Sequence, residues 1–441
     1  MPIETVPGTS LKYYLVTFDA SGNERDESDG KISQKLLEVL ANEPITDVFI
    51  FSHGWLGDIP AARRQYNKWL GAMAGQKDDI DQIQQARPGF RPLLIGLHWP
   101  SMPWGDEELR GSSVSFEPST ATPVEQLIDQ YAERIADTAA SRQALQTIFS
   151  AAMEDMAPPS LPPEVKDAYE VLNREAGLGS EGEGAAPGAD REPFEPEKIY
   201  QAAEDELVSF GNDSFGSLLA PLRTLSYWKM KDRARQFGES GGYKLLEKLQ
   251  KATDEHVRFH LMGHSFGCIV VSATLAGPSG HGDLVRPVNS VSLLQGALSL
   301  WSYCSDIRVA PGRPGYFRSI IDAQKVAGPI ITTQSELDTA VGKMYPLGAG
   351  IARQVHFAPG ELPKYGALGT FGAQGDGLDI VSMKMLSRDT AYQYQSGKIY
   401  NLDSTEFICD TTGGGLGGAH SDIAKPEVAH VIWQAVLASS T

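Results

Sequence analysis

What this sequence lacks narrows its possibilities first. It has no run of about 18 apolar residues, so no transmembrane helix is expected. It has only three cysteines, Cys268, Cys304 and Cys409. Their odd number and wide spacing argue against a disulfide framework or a cysteine-based metal site. Each lies among apolar neighbours, so a buried free thiol is expected for all three. Positive charge is scarce as well: 38 Lys and Arg against 56 Asp and Glu leave a formal net charge of −18. Nucleic acid or an anionic bilayer as the main partner would be repelled. The opening stretch Met1-Pro2-Ile3-Glu4-Thr5-Val6-Pro7 lacks the basic and apolar regions of a secretory signal, so a cytoplasmic location is expected. No internal repeat is visible.

What is present reads as globular and α/β. The chain has 441 residues, 41% hydrophobic and 21% charged, enough for one large domain with an insertion or for two domains. Leu11–Asp19, Thr46–Ser52 and Pro92–Trp99 read as strands, with helices over Ser33–Ala41 and Ala61–Met73 between them. The near-continuous apolar run ending at Ser52 suits a sheet covered on both faces, and the alternation suggests parallel β-α-β units. From about Asp106 to Pro221 the alternation stops. Pro123–Met156 reads as a long helical stretch, with apolar positions such as Leu127, Tyr131, Ile135, Leu145 and Ile148, and Pro158, Pro159, Pro162 and Pro163 break it. Residues 176–197 are rich in Gly, Ala and Glu and are expected to form a mobile acidic loop. Beyond the insertion come a helix at Tyr243–Ala252, strands at Val288–Gln295, Gly328–Gln334 and Lys398–Asp403, and a closing helix at Glu427–Leu437. The expected division is a core of 1–105 and 236–441 around an insertion of 106–235.

The chain is organised around Val257–Val271, an apolar strand running through Gly263-His264-Ser265-Phe266-Gly267 into a helix. A strand-to-helix turn this tight forces its central residue into a strained backbone conformation. Glycines two before and two after remove the Cβ atoms that would obstruct it, so Ser265 can project from the sheet end. A serine hydroxyl is a weak nucleophile and needs a base, and the base needs an orienting group. Of nine histidines, His420 stands out, because it follows the glycine-rich Gly413–Ala419 and precedes the closing helix. His260 reads as structural, and His264 as a neighbour pointing away from the chemistry. His281 sits in a glycine-rich loop, while His356 and His430 have no partner pattern. Asp338, just after a strand, is the favoured acid. Asp306 is its main rival, with Asp376 and Asp379 behind. Developing negative charge needs donors. The backbone N–H of Phe266 and that of Trp55, in the His53-Gly54-Trp55 strand end, are the expected pair, with His53 shaping the loop.

This set resembles the α/β-hydrolase superfamily: a His-Gly strand end, G-x-S-x-G, then acid, then histidine, in the order Ser…Asp…His. The likeness covers about 12–104 and 243–437. It implies an α/β-hydrolase fold, with a mostly parallel central sheet of about eight strands flanked by helices and a helical cap insertion. It implies Ser265 as nucleophile, Asp338 as acid, His420 as base, and Trp55 and Phe266 as oxyanion donors. His53, Gly54, Gly263, His264 and Gly267 would support them, and neither cofactor nor metal is called for. The chain looks like the lipase- and esterase-like members, departing from them in having Trp55 where many lipases carry glycine. A small-molecule or lipid ester is the expected substrate. An amidase or peptidase on the same triad and an inactive binding protein are the alternatives. Trp99, Met102, Pro103 and Trp104 read as an apolar loop, either lining an acyl pocket or packing in the core.

Overall fold

The computed structural model describes residues 3–28, 30–55, 58–101, 124–155, 158–205, 217–344, 362–412 and 417–439. Among them a nine-stranded sheet runs in the order β1-β2-β4-β3-β5-β6-β7-β9-β8. The strands are β1 Ile3–Thr5, β2 Lys12–Thr17, β3 Asp47–Ser52, β4 Pro92–His98, β5 Arg258–His264, β6 Ser290–Leu294, β7 Ile330–Gln334, β8 Ile380–Lys384 and β9 Ile399–Asp403. Only β1 pairs antiparallel, with β2. Every other ladder is parallel. The sequence leads one to expect about eight strands. To the seven strands placed there by range the structure adds β1, three residues long, and β8, a partly exposed edge strand. Neither carries the buried run that marks the inner strands.

All six residues of β3 are buried, as a strand covered on both faces requires. Side chains alternate between faces. Val48 and Ile50 point into one apolar core, with Leu261 and helix α10 (Gly267–Ala276), while Phe49 and Phe51 point into the other, with Met262, Trp69 and Trp433. Helix α10 is buried at all ten positions, which accounts for its having no polar face. The second core is covered by α2 (Ile59–Ala74), α3 (Lys77–Ala86) and the closing helix Pro426–Ala438. Helix α3 and the closing helix are tied by His430 Nδ1 and Asp79 Oδ2 at 2.8 Å. His430 therefore has a partner, 351 residues away in sequence, where no sequence pattern reveals it. On the first face, α1 (Ile32–Asn42) packs beside β2.

The insertion between β4 and β5 is helical. It contains α4 Val124–Ile135, α5 Ala139–Glu154, α6 Pro163–Glu175, α7 Pro196–Asp205 and α8 Ala220–Phe237. The single helical stretch expected over Pro123–Met156 is two helices, restarted where the Thr138 hydroxyl accepts the Ser141 N–H at 3.1 Å. Ile148, Phe149, Tyr169, Leu172, Tyr200 and Leu225 bury one another in a core of their own. The far end of the insertion is no break. Helix α8 continues through a π-helical turn, Gly238–Gly242, into α9, Tyr243–Lys251. A Cβ on Gly238 would stand 2.6 Å from the Val270 carbonyl oxygen, so a glycine is needed where this helix crosses α10.

Residues 176–197 correct the expectation of a mobile loop. Glu183, Asp190 and Arg191 are all buried. Lys231 of α8 meets Asp190 at 2.5 Å, the Ser299 hydroxyl donates to Glu183 at 2.8 Å, and Arg191 donates to Asn173 at 2.9 Å. The segment is a strap held by charged and polar anchors, and polar composition disguises such anchoring. Burial, then the Asp190 charge, pushes Glu183 up to about 8, so it is protonated at neutral pH. At Gly188, with φ of +105°, a Cβ would lie 2.6 Å from that of Asp232, so this glycine serves close approach. Cys409 is also corrected. Cys268 and Cys304 are buried, but Cys409 is exposed, in a loop whose backbone N–H groups point at Asp422. No helix among the described residues is long and apolar enough to cross a membrane.

The strap supplies a stability test. Lys231→Met leaves Asp190 buried without its cation, a loss expected at about 3–5 kcal/mol in urea denaturation. Adding Asp190→Asn should restore much of it. A loss under about 1 kcal/mol would place the pair in the class of exposed ion pairs and contradict the anchoring role.

Candidate active site

The site forms where the sheet changes direction. From β3 the chain moves to β4 on one side and returns to β5 on the other. The carboxyl ends of β3 and β5 are therefore the switch point of the sheet, the usual ligand position in open α/β sheets. Ser52 of β3 pairs with Gly263 of β5, which brings His53-Gly54-Trp55 alongside Ser265.

Ser265 lies between the end of β5 and the start of α10 with φ of 56°, left-handed backbone that a non-glycine residue adopts only when its surroundings enforce it. Its N–H donates to Leu294 O at 3.1 Å, and its carbonyl accepts from Cys268 at 3.0 Å and Ala297 at 3.2 Å. The glycines act by space. A Cβ on Gly263 would lie 2.4 Å from Gly267 O, one on Gly267 2.2 Å from Ser52 O, and one on Gly54 2.7 Å from the Ser265 Cβ.

Among the described residues the N–H groups of Phe266 and Trp55 donate to no protein acceptor. The Phe266 N–H sits at the amino end of α10, where the helix dipole favours negative charge. The two side chains pack with ring centroids 5.9 Å apart. Tyr227 of α8 closes over both, 5.6 Å from Trp55 and 5.2 Å from Phe266. His53 stays in its loop. Its Nδ1–H donates to Gly54 O at 2.8 Å, which makes Nε2 the acceptor for His98 Nδ1–H at 3.0 Å, and its ring stacks on Trp99 at 5.7 Å. Burial, then the neighbouring His98, lowers it to about 3, so it is a neutral shaping residue.

Asp338 and His420 are together. Asp338, 1% exposed, sits in the turn after β7, and its Oδ2 accepts His420 Nδ1–H at 2.7 Å. The two loops are stitched by an antiparallel bridge from Asp338 to Gly418 and by Ala419 N–H to Leu337 O at 2.9 Å. With Nδ1 occupied, Nε2 is the free nitrogen of His420. Its main chain is held by His264, whose Nε2–H donates to His420 O at 2.8 Å while Nδ1 accepts from Gln65 at 2.9 Å. The rings of His264 and His420 lie 4.8 Å apart, so the His420 loop packs on the residue next to Ser265. Among the described residues Ser265 Oγ makes no hydrogen bond.

The rival acids are elsewhere. Asp306 accepts the Gly312 N–H at 2.6 Å, Asp376 pairs with Arg308 at 3.2 Å, and Asp379 with Lys398 at 3.8 Å. His260 is structural, between Asp47 and Ser290. His281 lines a cavity of about 850 Å³ with Arg313, Tyr316 and Arg318, and none of Ser265, Asp338 and His420 borders it. Trp99 is buried against His53 as core packing. Met102, Pro103, Trp104, His356 and residues 413–416 lie outside the described residues. Three side chains escape sequence reasoning: Gln65, Tyr227 and Gln295. Each is a single residue on a helix or strand end, brought here only by tertiary packing.

No protein family, no curated protein and no solved structure matches this chain.

The buried histidines set a pH dependence. Burial, then His420, lowers His264 to about 3, close to His53. In the unfolded chain both take a proton near pH 6.5, so the unfolded state binds more protons below that value. Their contribution is complete above about pH 6.5 and is lost as pH falls toward 3, by up to about 1.4 kcal/mol per pH unit for each. Urea unfolding at about pH 7, 6 and 5 measures the slope, which His264→Gln should reduce by about one proton's worth. An unchanged slope in that variant would show that His264 is not held neutral.

Proposed function

We propose that this chain is a serine hydrolase of α/β-hydrolase type that cleaves carboxylic esters through an acyl-enzyme. The observation that carries the reading is the junction of a left-handed Ser265 at the β5–α10 turn with a hydrogen-bonded Asp338–His420 pair on the adjoining loops. His420 Nε2 removes the Ser265 proton as Oγ bonds to the acyl carbon, and the Phe266 and Trp55 N–H groups receive the resulting oxyanion. Collapse breaks the bond to the alcohol oxygen, which takes the proton from His420. Water then repeats the sequence and releases the acid. Asp338 keeps the imidazole in the tautomer with the proton on Nδ1. The helical insertion acts as the cap, with Tyr227 reaching the two donor residues and bearing on substrate choice. The same groups serve amide hydrolysis, and amide substrates belong in the assay. A non-catalytic binding protein is the second reading, favoured by one observation, the lack of a hydrogen bond on Ser265 Oγ among the described residues.

A fluorescent fluorophosphonate should label the native chain and not Ser265→Ala. Esters of increasing acyl length, assayed beside amides, then define the substrate. Asp338→Asn should remain folded and lose turnover by about 10⁴-fold, as the orienting acid of such triads does. Near-normal turnover would transfer that role to Asp306. Failure of a folded native sample to label would favour the binding reading.

A further inference from the structure

The carboxylate of Asp338 has a second side-chain donor. Gln295, fully buried at the end of β6, donates Nε2–H at 2.8 Å to Oδ2, the same oxygen that accepts from His420. Oδ1 accepts the Val341 N–H at 3.1 Å. The orientation of the Gln295 amide follows from the network. Thr333 Oγ accepts the Gln295 backbone N–H at 3.0 Å, so its own proton goes to Gln295 Oε1 at 2.9 Å. The amide NH₂ must then face Asp338. Gln295 also has left-handed backbone, φ of 45°, a conformation disfavoured for a residue with a γ-carbon and kept only where the surroundings hold it. Strain and complete hydrogen bonding thus meet at one residue whose side chain ends on the acid.

We propose that Gln295 is a positioning residue for the acid–base pair: it aims Asp338 Oδ2 at His420 and draws negative charge off that oxygen. The proposal rests on the hydrolase reading above. A donor on a carboxylate oxygen stabilises its charge, and without it more of that charge acts on the neighbouring imidazole and favours its protonated form. The titratable groups facing His420 are Asp338, on the turn after β7, and His264, at the end of β5, with His53 behind His264. The two histidines stay neutral over the working range, so Asp338 is the charge through which Gln295 acts.

The test is the pH profile of kcat/KM for the native chain, Gln295→Met, Gln295→Glu and Thr333→Val, with the downfield N–H proton resonance of His420 as a second measurement. Gln295→Met removes the donor, and kcat/KM should fall roughly tenfold, mostly in kcat. Its acid limb should move to higher pH. Gln295→Glu buries a second carboxyl beside Asp338. That carboxyl is therefore protonated and donates to Oδ2 in place of the amide, so it should keep the limb near its native position, unlike the upward shift of Gln295→Met. Thr333→Val frees the amide to turn and should shift the limb in the same direction as Gln295→Met, by less. A purely structural role would lower the melting temperature of Gln295→Met while leaving its limb in place, and that result overturns the proposal. If turnover does not depend on Ser265, the hydrolase reading fails. The His420 resonance still decides the contact: displacement in Gln295→Met supports it, and an unmoved signal overturns it.

Discussion

The contact on which the site depends is the packing of the β3 end against the β5–α10 turn. Backbone meets backbone there, with Gly54 over Ser265 and Gly267 against the Ser52 carbonyl oxygen. At these separations no Cβ fits, and the register from Asp47 with Arg258 to Ser52 with Gly263 leaves no slack. Close packing holds Ser265 in left-handed backbone, and the same packing keeps Trp55 and Phe266 beside it, their rings 5.9 Å apart. In a parallel sheet buried on both faces, a residue's worth of slip would exchange the two cores, so the fold's largest apolar contacts also set the position of a single hydroxyl.

Around that contact the chain uses neutral histidines and amides as spacers. His53 turns its ring nitrogens to Gly54 O and His98, His264 turns its own to His420 O and Gln65, and Gln295 turns its amide to Asp338 and Thr333. Burial keeps both histidines uncharged, so they add shape without adding a charge that would compete with Asp338. The strap over 176–197 follows a different rule. There Lys231 and Asp190 are buried as an ion pair, and Glu183 is kept protonated beside them, because a lone buried charge is far more costly than a matched one.

How much is legible in the sequence follows from the range of the interaction. The inner strands are visible because burial on both faces writes itself into consecutive residues, and Ser265 because its glycines lie within two positions of it. His420 and Asp338 are readable as loop residues after strands, and the structure brings them together. Gln295 is not, since its role depends on Thr333 and Asp338, 38 and 43 residues away. The His430–Asp79 pair and the Tyr227 contacts are hidden for the same reason. The strap misleads because composition reports how much apolar surface a segment offers, and this one is anchored by polar groups whose partners lie on α8 and after β6.

That difference bears on where an α/β core admits variation. The helical insertion has its own buried core and enters between β4 and β5, yet α8 runs without interruption into α9 and crosses α10 at Gly238. The insertion is therefore coupled to the helix that begins at the Ser265 turn, and Tyr227 on α8 touches both Trp55 and Phe266. Tyr227 lies against Trp55 on the insertion side, while the tight crossing at Gly238 holds α8 to α10. Residues on the insertion side can then change without disturbing the backbone contact that holds Ser265.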